Sequence, residues 1–135
     1  MNSENQKFQD FKTAFELSVK LYNAGDIDAY FSCIHDDVVY YMPYSNTPVE
    51  GKAAVRAEYD KILSQADSAH WQSTDPEFIV NGTIGIVFSP FKHTVRYKDQ
   101  TVRISQGRDT EVFTKTNGKW LKIFEHMSYF PEQEN

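Results

Sequence analysis

The run from Thr101 to Tyr129, TVRISQGRDTEVFTKTNGKWLKIFEHMSY, decides the fold. Apolar and polar side chains alternate on both sides of Asn117-Gly118. Asn-Gly is a strong two-residue hairpin signal, because both central residues of the favoured turn need positive φ. The spacing predicts strands over Thr101–Lys115 and Lys119–Tyr129. Upstream, Lys98-Asp99-Gln100 makes another turn, and Thr83–Tyr97 reads as the strand before it. Asn81-Gly82 closes a further hairpin onto Glu77–Asn81, with a short strand expected at His70–Ser73. Pro90 has no N–H to give to a ladder, so it must sit at a bulge, an edge or a break.

The first half reads differently. Phe8, Phe11, Phe15, Val19 and Tyr22 fall near helical spacing, which predicts a helix over Phe8–Tyr22. Gly25 suits the residue after a helix end, and Asp26 can cap a short second helix over Ile27–Ile34. Val38-Val39-Tyr40-Tyr41-Met42 is β-branched and aromatic and reads as one early strand, ended by Pro43. Gly51 leads a third helix, Lys52–Gln65, with Val55, Tyr59, Ile62 and Leu63 on its apolar stripe. Helices come first, with one strand among them, and hairpins follow. The expected class is α+β, with helices on one face of an antiparallel sheet. The polar tail Pro131–Asn135 is expected to be loose.

The 135 residues fit one domain, 1–135, with an ordered core of about 8–130. Aromatics reach 15%, enough to fill a core, wall a pocket or cover a partner's sheet. The net charge of −5, with no cluster of Lys and Arg, argues against nucleic acid. No apolar run is long enough to span a bilayer, and Met1–Lys7 has no apolar signal core, so no membrane is implied and a cytoplasmic protein is expected. Cys33 lies among Tyr30, Phe31 and Ile34 and reads as an inert buried thiol. His35, His70, His93 and His126 have no metal-ligand spacing, and there is no Gly-rich phosphate loop, so neither a metal nor a cofactor is expected.

Several words in order carry a resemblance. They are Asn23-Ala24-Gly25-Asp26-Ile27-Asp28, His35-Asp36-Asp37-Val38-Val39 and Val49-Glu50-Gly51-Lys52-Ala53-Ala54-Val55-Arg56. Gly107-Arg108-Asp109-Thr110-Glu111-Val112-Phe113, Asn117-Gly118-Lys119-Trp120 and His126-Met127-Ser128 follow. The chain resembles the SnoaL-like branch of the nuclear transport factor 2-like superfamily over about residues 8–130. The resemblance implies a cystatin-like cone, three N-terminal helices on a curved antiparallel sheet around one pocket, pairing as a homodimer. Because this fold hosts isomerases, dehydratases, cyclases, hydrolases and non-enzymatic modules, it implies no single reaction.

The last two words also resemble the association domain of calcium/calmodulin-dependent protein kinase II. That family's pocket arginines fall on Glu111, Met127 and, less closely, His93, so a basic pocket is replaced here by one partly acidic and apolar. The ketosteroid isomerase pattern fails. Its base falls on Met42, before Pro43, and its oxyanion-hole tyrosine falls on Ser18. A thioether takes no proton, and Ser lacks a phenol's reach.

Side chains alternate across a strand. The resemblance turns Met127 inward, with Leu121, Ile123 and Glu125 beside it by parity. Trp120, Phe124 and His126 then form the outer face and anchor the partner subunit. Asp109, Glu111 and Phe113 point inward on the strand before, Tyr40 and Met42 on the first strand, and Tyr22 and Tyr59 from the lid helices. Glu111 is the leading catalytic candidate, since a carboxyl group in an apolar cavity suits general acid/base work. It is otherwise a structural ion pair with Arg103, Arg108 or Lys122. His93 is either its acid/base companion or a solvent-facing residue beside Pro90. Two functions remain: a pocket for a small, largely apolar or aromatic molecule with cofactor-free acid/base chemistry, or a non-catalytic association module.

Overall fold

The computed structural model describes residues 3–131, so residues 1–2 of the polar leader and 132–135 of the tail lie outside the described residues. Helix α1 (Ser3–Asn23) begins earlier than the apolar stripe suggests and buries Phe11, Phe15, Ser18 and Tyr22. Gly25, at φ 77°, ends it. Asp26 then caps α2 (Ile27–Phe31) by accepting from the Ala29 N–H at 3.3 Å. Strand β1 (Ile34–Tyr41) follows, then the two-residue β2 (Val49–Glu50) and α3 (Lys52–Leu63). Strands β3 (Ala66–Ser73), β4 (Glu77–Asn81), β5 (Ile84–Tyr97), β6 (Val102–Thr116) and β7 (Lys119–Tyr129) complete the chain. No helix among the described residues is long and apolar enough to cross a membrane.

The seven-stranded sheet runs β2-β1-β7-β6-β5-β3, with β4 also paired to β5. It is an α+β, cone-like fold. The sheet is mixed rather than wholly antiparallel: β1 runs parallel to β7, with Val39 opposite Phe124 and Tyr40 opposite Glu125. A parallel neighbour needs a long crossover, and everything between β1 and β7 supplies it. β3 starts four residues before the predicted strand, because Ala66-Asp67-Ser68-Ala69 has no β-branched or aromatic residue to announce it.

Pro90 sits where β3 and β4 part along β5. β3 pairs as far as Phe91 and β4 as far as Phe88. The Pro90 carbonyl still accepts from Thr74 at 3.0 Å, and its missing N–H faces the break.

The last hairpin holds the main correction. Val112 pairs with Phe124, but Phe113 pairs with Lys122, so Ile123 is an extra residue on β7. Such a bulge reverses the alternation beyond it. Glu125 and Met127 point inward as expected, and so do Lys122 and Trp120. Trp120 is therefore not an outer-face anchor. It is 5% exposed and packs on Phe11 at 5.1 Å between ring centroids. Phe124 and His126 keep the outer side, with His126 exposed and beside Tyr41.

The core divides in two. One cluster gathers Phe11, Phe15, Val87, Phe113 and Trp120 between α1 and the sheet. Phe113 belongs here and lies outside the cavity wall where parity alone had put it, because the cavity opens on the other cluster. That second cluster joins Tyr22, Tyr30, Tyr40, Met42, Phe91 and Met127. Cys33 is a buried free thiol, as its apolar neighbours predict.

Candidate functional site

A cavity of about 100 Å³ opens between the two long helices and the concave face of the sheet. A site this size holds several waters or a small organic group, so the aromatic side chains wall the space without filling it. Glu111, His93, Met42, Met127, Tyr22 and Tyr59, all predicted from sequence, line it. Tyr40 and Asp109 stand behind the lining, fully or nearly fully buried.

Its walls are held by short-range devices. Asn23, at the end of α1, receives the Trp71 N–H at 2.7 Å and donates to the Trp71 carbonyl at 2.9 Å. The amide acts as one rung of a ladder and ties the helix to β3. It thereby sets Tyr22 and Trp71 on adjoining walls. Trp71 lies flat on Phe91, ring centroids 4.5 Å apart and 9° from parallel.

The floor is a charged cluster. The Lys122 ammonium lies 2.6 Å from Glu125 Oε1, 3.2 Å from Glu111 Oε1 and 2.8 Å from the Tyr30 hydroxyl. The Lys122, Glu111 and Glu125 side chains are 5% exposed or less, and Tyr30 is 6% exposed. The hydroxyls of Tyr30, Tyr40 and Tyr59 form a triangle, 3.2–3.3 Å on a side. Lys122 also lies 5.1 Å from the ring centroids of Tyr30 and Tyr40, a cation–π arrangement.

Asp109, Glu111 and Glu125 each bring an oxygen within 4.8 Å of the others. Like charges so close and so buried drive protons onto some members. Burial first, then Glu125 and Glu111, raise the Asp109 carboxyl well above its usual range. Burial and Glu125 also raise Glu111, against the pull of Lys122. Burial acts to raise Glu125 too, yet Lys122 and hydrogen bonds from Asp109, Lys122 and Tyr40 bring it below its usual value. Burial disfavours charge on Lys122, and Glu111 and Glu125 overcome this and hold its pKa well above normal. The result is an Asp109 carboxyl held toward its neutral form behind an ammonium that bridges Glu111 and Glu125. His spacing revealed nothing of this cluster, in which the Lys122 ammonium lies against two of the carboxyl groups.

Sequence reasoning named Lys122 only as one possible ion-pair partner of Glu111, while parity from Met127 put it on the outer face. Its signal was a lysine inside the apolar run Trp120–Phe124, three residues before Glu125. Of the ion-pair partners open to Glu111, Lys122 is the one present. Arg103 instead lies exposed at the rim, donating to the Tyr129 hydroxyl at 3.1 Å.

His93 does not reach a carboxylate. Its Nε2 lies 2.8 Å from the Tyr22 hydroxyl, and its ring is 5.5 Å from that of Trp71. Burial, helped by Arg103 and His70 against the opposing field of Glu125, lowers its pKa from 6.5 to about 4. The imidazole is therefore neutral near pH 7. The folded protein binds this proton less tightly than the unfolded chain, so His93 stabilises the fold above pH 6.5 and loses that effect as pH falls toward about 4. His93→Gln keeps a partner for Tyr22 and cannot titrate. It should flatten the acid side of the stability–pH curve by roughly 2–3 kcal/mol, read from urea melts of both proteins across that window. Parallel curves would mean that His93 is hydrated and titrates normally.

This fold defines a class: α+β proteins with helices laid over a curved, cone-like sheet. The sequence profile of the SnoaL-like domain matches residues 15–123, and the chain belongs to that family. None of the curated proteins matches it significantly. Among solved structures, a proposed dehydratase of the NTF2-like family from Streptomyces avermitilis superposes with a TM-score of 0.82 at 16% identity, covering 94% of this chain and 98% of that one. A proposed scytalone dehydratase from Novosphingobium aromaticivorans gives 0.81 at 13% identity, covering 94% and 86%. A proposed calcium/calmodulin-dependent protein kinase II association domain from Xanthomonas campestris gives 0.75 at 19% identity, covering 87% and 84%. At such identities the likeness shows the fold alone.

Proposed function

We propose that this protein binds a small, largely apolar or aromatic molecule in the cavity and moves a proton on it without a cofactor. The supporting observation is the buried Lys122–Glu111–Glu125 cluster on the floor of an aromatic-walled space. Well-packed apolar residues would be at least as stable there as a buried ion pair, so stability alone is a weak reason for it. Glu111 is the general acid or base, because it faces the cavity and burial with Glu125 raises its pKa above the usual carboxyl range. Neutral His93, oriented by Tyr22, is the second proton acceptor. Isomerisation, dehydration and hydrolysis are reactions that acid/base groups of this kind carry.

The test has two stages. Native mass spectrometry of freshly purified protein, with a screen of aromatic fragments, identifies what the cavity takes up. Occupancy is read by fluorescence of Trp71 on the wall, with Trp120, outside the cavity, as internal reference. Glu111→Gln should then lower turnover of the identified compound by about 100-fold or more while the protein stays folded. Full turnover in that variant would remove Glu111 from the chemistry.

A second observation favours pairing between copies. Ile79, Ile84, Phe88, Val102 and Ile104 are exposed large hydrophobics on β4, β5 and β6. On β5 and β6 these alternate with the inward residues, and they share the outer side with Phe124 and His126. An apolar face of this kind marks an interface. The reading is a homodimer through this face; a larger assembly with an indifferent cavity would return the protein to the association-module class. Sedimentation at several concentrations separates a monomer, a dimer and a ring.

A further inference from the structure

The hydrogen-bonding inventory of the cavity floor narrows the ligand. An ammonium has three N–H donors. Those of Lys122 are matched by Glu125, Glu111 and Tyr30, at 2.6, 3.2 and 2.8 Å. None is left to receive an anion. Two of the partners it holds are carboxyl groups, and Glu111 and Glu125 both border the cavity. Three carboxyl groups gathered against one ammonium make the floor rich in acceptors. The third, Asp109, 4% exposed and behind the other two, keeps Oδ1 without any hydrogen-bond partner. The walls add electron-rich faces: Tyr22, Tyr59 and the stacked Trp71–Phe91 pair. Arg103, the cation at the rim, is exposed to solvent and screened by it.

We propose that the cavity selects a small aromatic or apolar amine, whose cationic nitrogen is taken by Glu111 and the surrounding aromatic faces, and rejects carboxylates of the same size. Carboxylate acceptors give charge-assisted hydrogen bonds to an alkylammonium group, and aromatic faces attract it through their quadrupoles. A carboxylate ligand would meet the Glu111 and Glu125 carboxyl groups with every N–H of Lys122 already taken. This rests on the pocket reading above and names its substrate class.

Three near-isosteric probes test it: 2-phenylethylamine, 2-phenylethanol and phenylacetate, titrated into the full chain with Trp71 fluorescence and calorimetry as readouts. The amine should bind about tenfold tighter than the alcohol, and phenylacetate should be the weakest of the three. In Glu111→Gln the amine's advantage over the alcohol should shrink to about threefold or less. Equal binding of amine and alcohol to the unmodified protein, or tightest binding of phenylacetate, would overturn the amine assignment and leave the pocket reading standing. Failure of all three to perturb Trp71 would overturn both.

Discussion

Lys122→Met should destabilise the protein by about 3–5 kcal/mol, a fall in melting temperature of roughly 10–20 °C. Methionine fills much of the lysine's volume, so little of this is a cavity effect. The penalty comes from what remains: Glu111 and Glu125, each 5% exposed or less, face one another and Asp109 with no cation between them. The buried carboxylates must then take up protons or draw in water. The loss should be larger at pH 8 than at pH 5, because protonation relieves the unpaired charge. Adding Glu111→Gln and Glu125→Gln to Lys122→Met should recover a large part of the stability, since all partners of the charge are then neutral. A loss of under about 1 kcal/mol in the single variant would show that the cluster is hydrated and not an integral buried pair.

Gly107→Ala should be as damaging for a different reason. Gly107 pairs with Tyr129, next to the Asp109–Met127 pair at the cavity. A Cβ at this position would collide with the Ser128 carbonyl oxygen and come within 2.9 Å of the Tyr129 Cα. Both are backbone atoms of β7, which has no rotamer with which to yield. The strands must separate, and with them the curl that brings Asp109, Glu111 and Glu125 together. A cost of about 3 kcal/mol or more is expected by urea denaturation, at or beyond the upper end of ordinary overpacking. Gly85→Ala is the matched control. There the new Cβ would lie 2.8 Å from ring atoms of Phe11, a side chain that can tilt, so a smaller loss is expected. Equal effects would mean that the close approach of β6 and β7 relaxes easily.

Much of the architecture was legible because it rests on local chemistry. Asn117-Gly118 takes positive φ at both residues, 51° and 77°, and Gly25 and Gly82 do the same at their turns. The apolar stripe of α1 and the hairpin spacing of β4 to β7 could be read without any knowledge of neighbours. Parity along β6 correctly turned Asp109 and Glu111 inward, because no bulge interrupts that strand where it carries them. The parity rule failed on β7. The extra Ile123 reverses the alternation, so Trp120 and Lys122 entered the core although counting from Met127 put them outside.

The sequence by itself therefore determined the α+β class, the order of elements and the inward carboxylates, since turns, helix stripes and unbroken strands are set by residues a few positions apart. Only the tertiary structure decided what those carboxylates meet. Tyr30 and Lys122 are 92 positions apart, and Tyr22 and His93 are 71 apart. No local spacing announces such encounters. They follow from the bulge at Ile123, the close strand approach at Gly107 and the Asn23–Trp71 tie, which fix how the helices lie on the sheet.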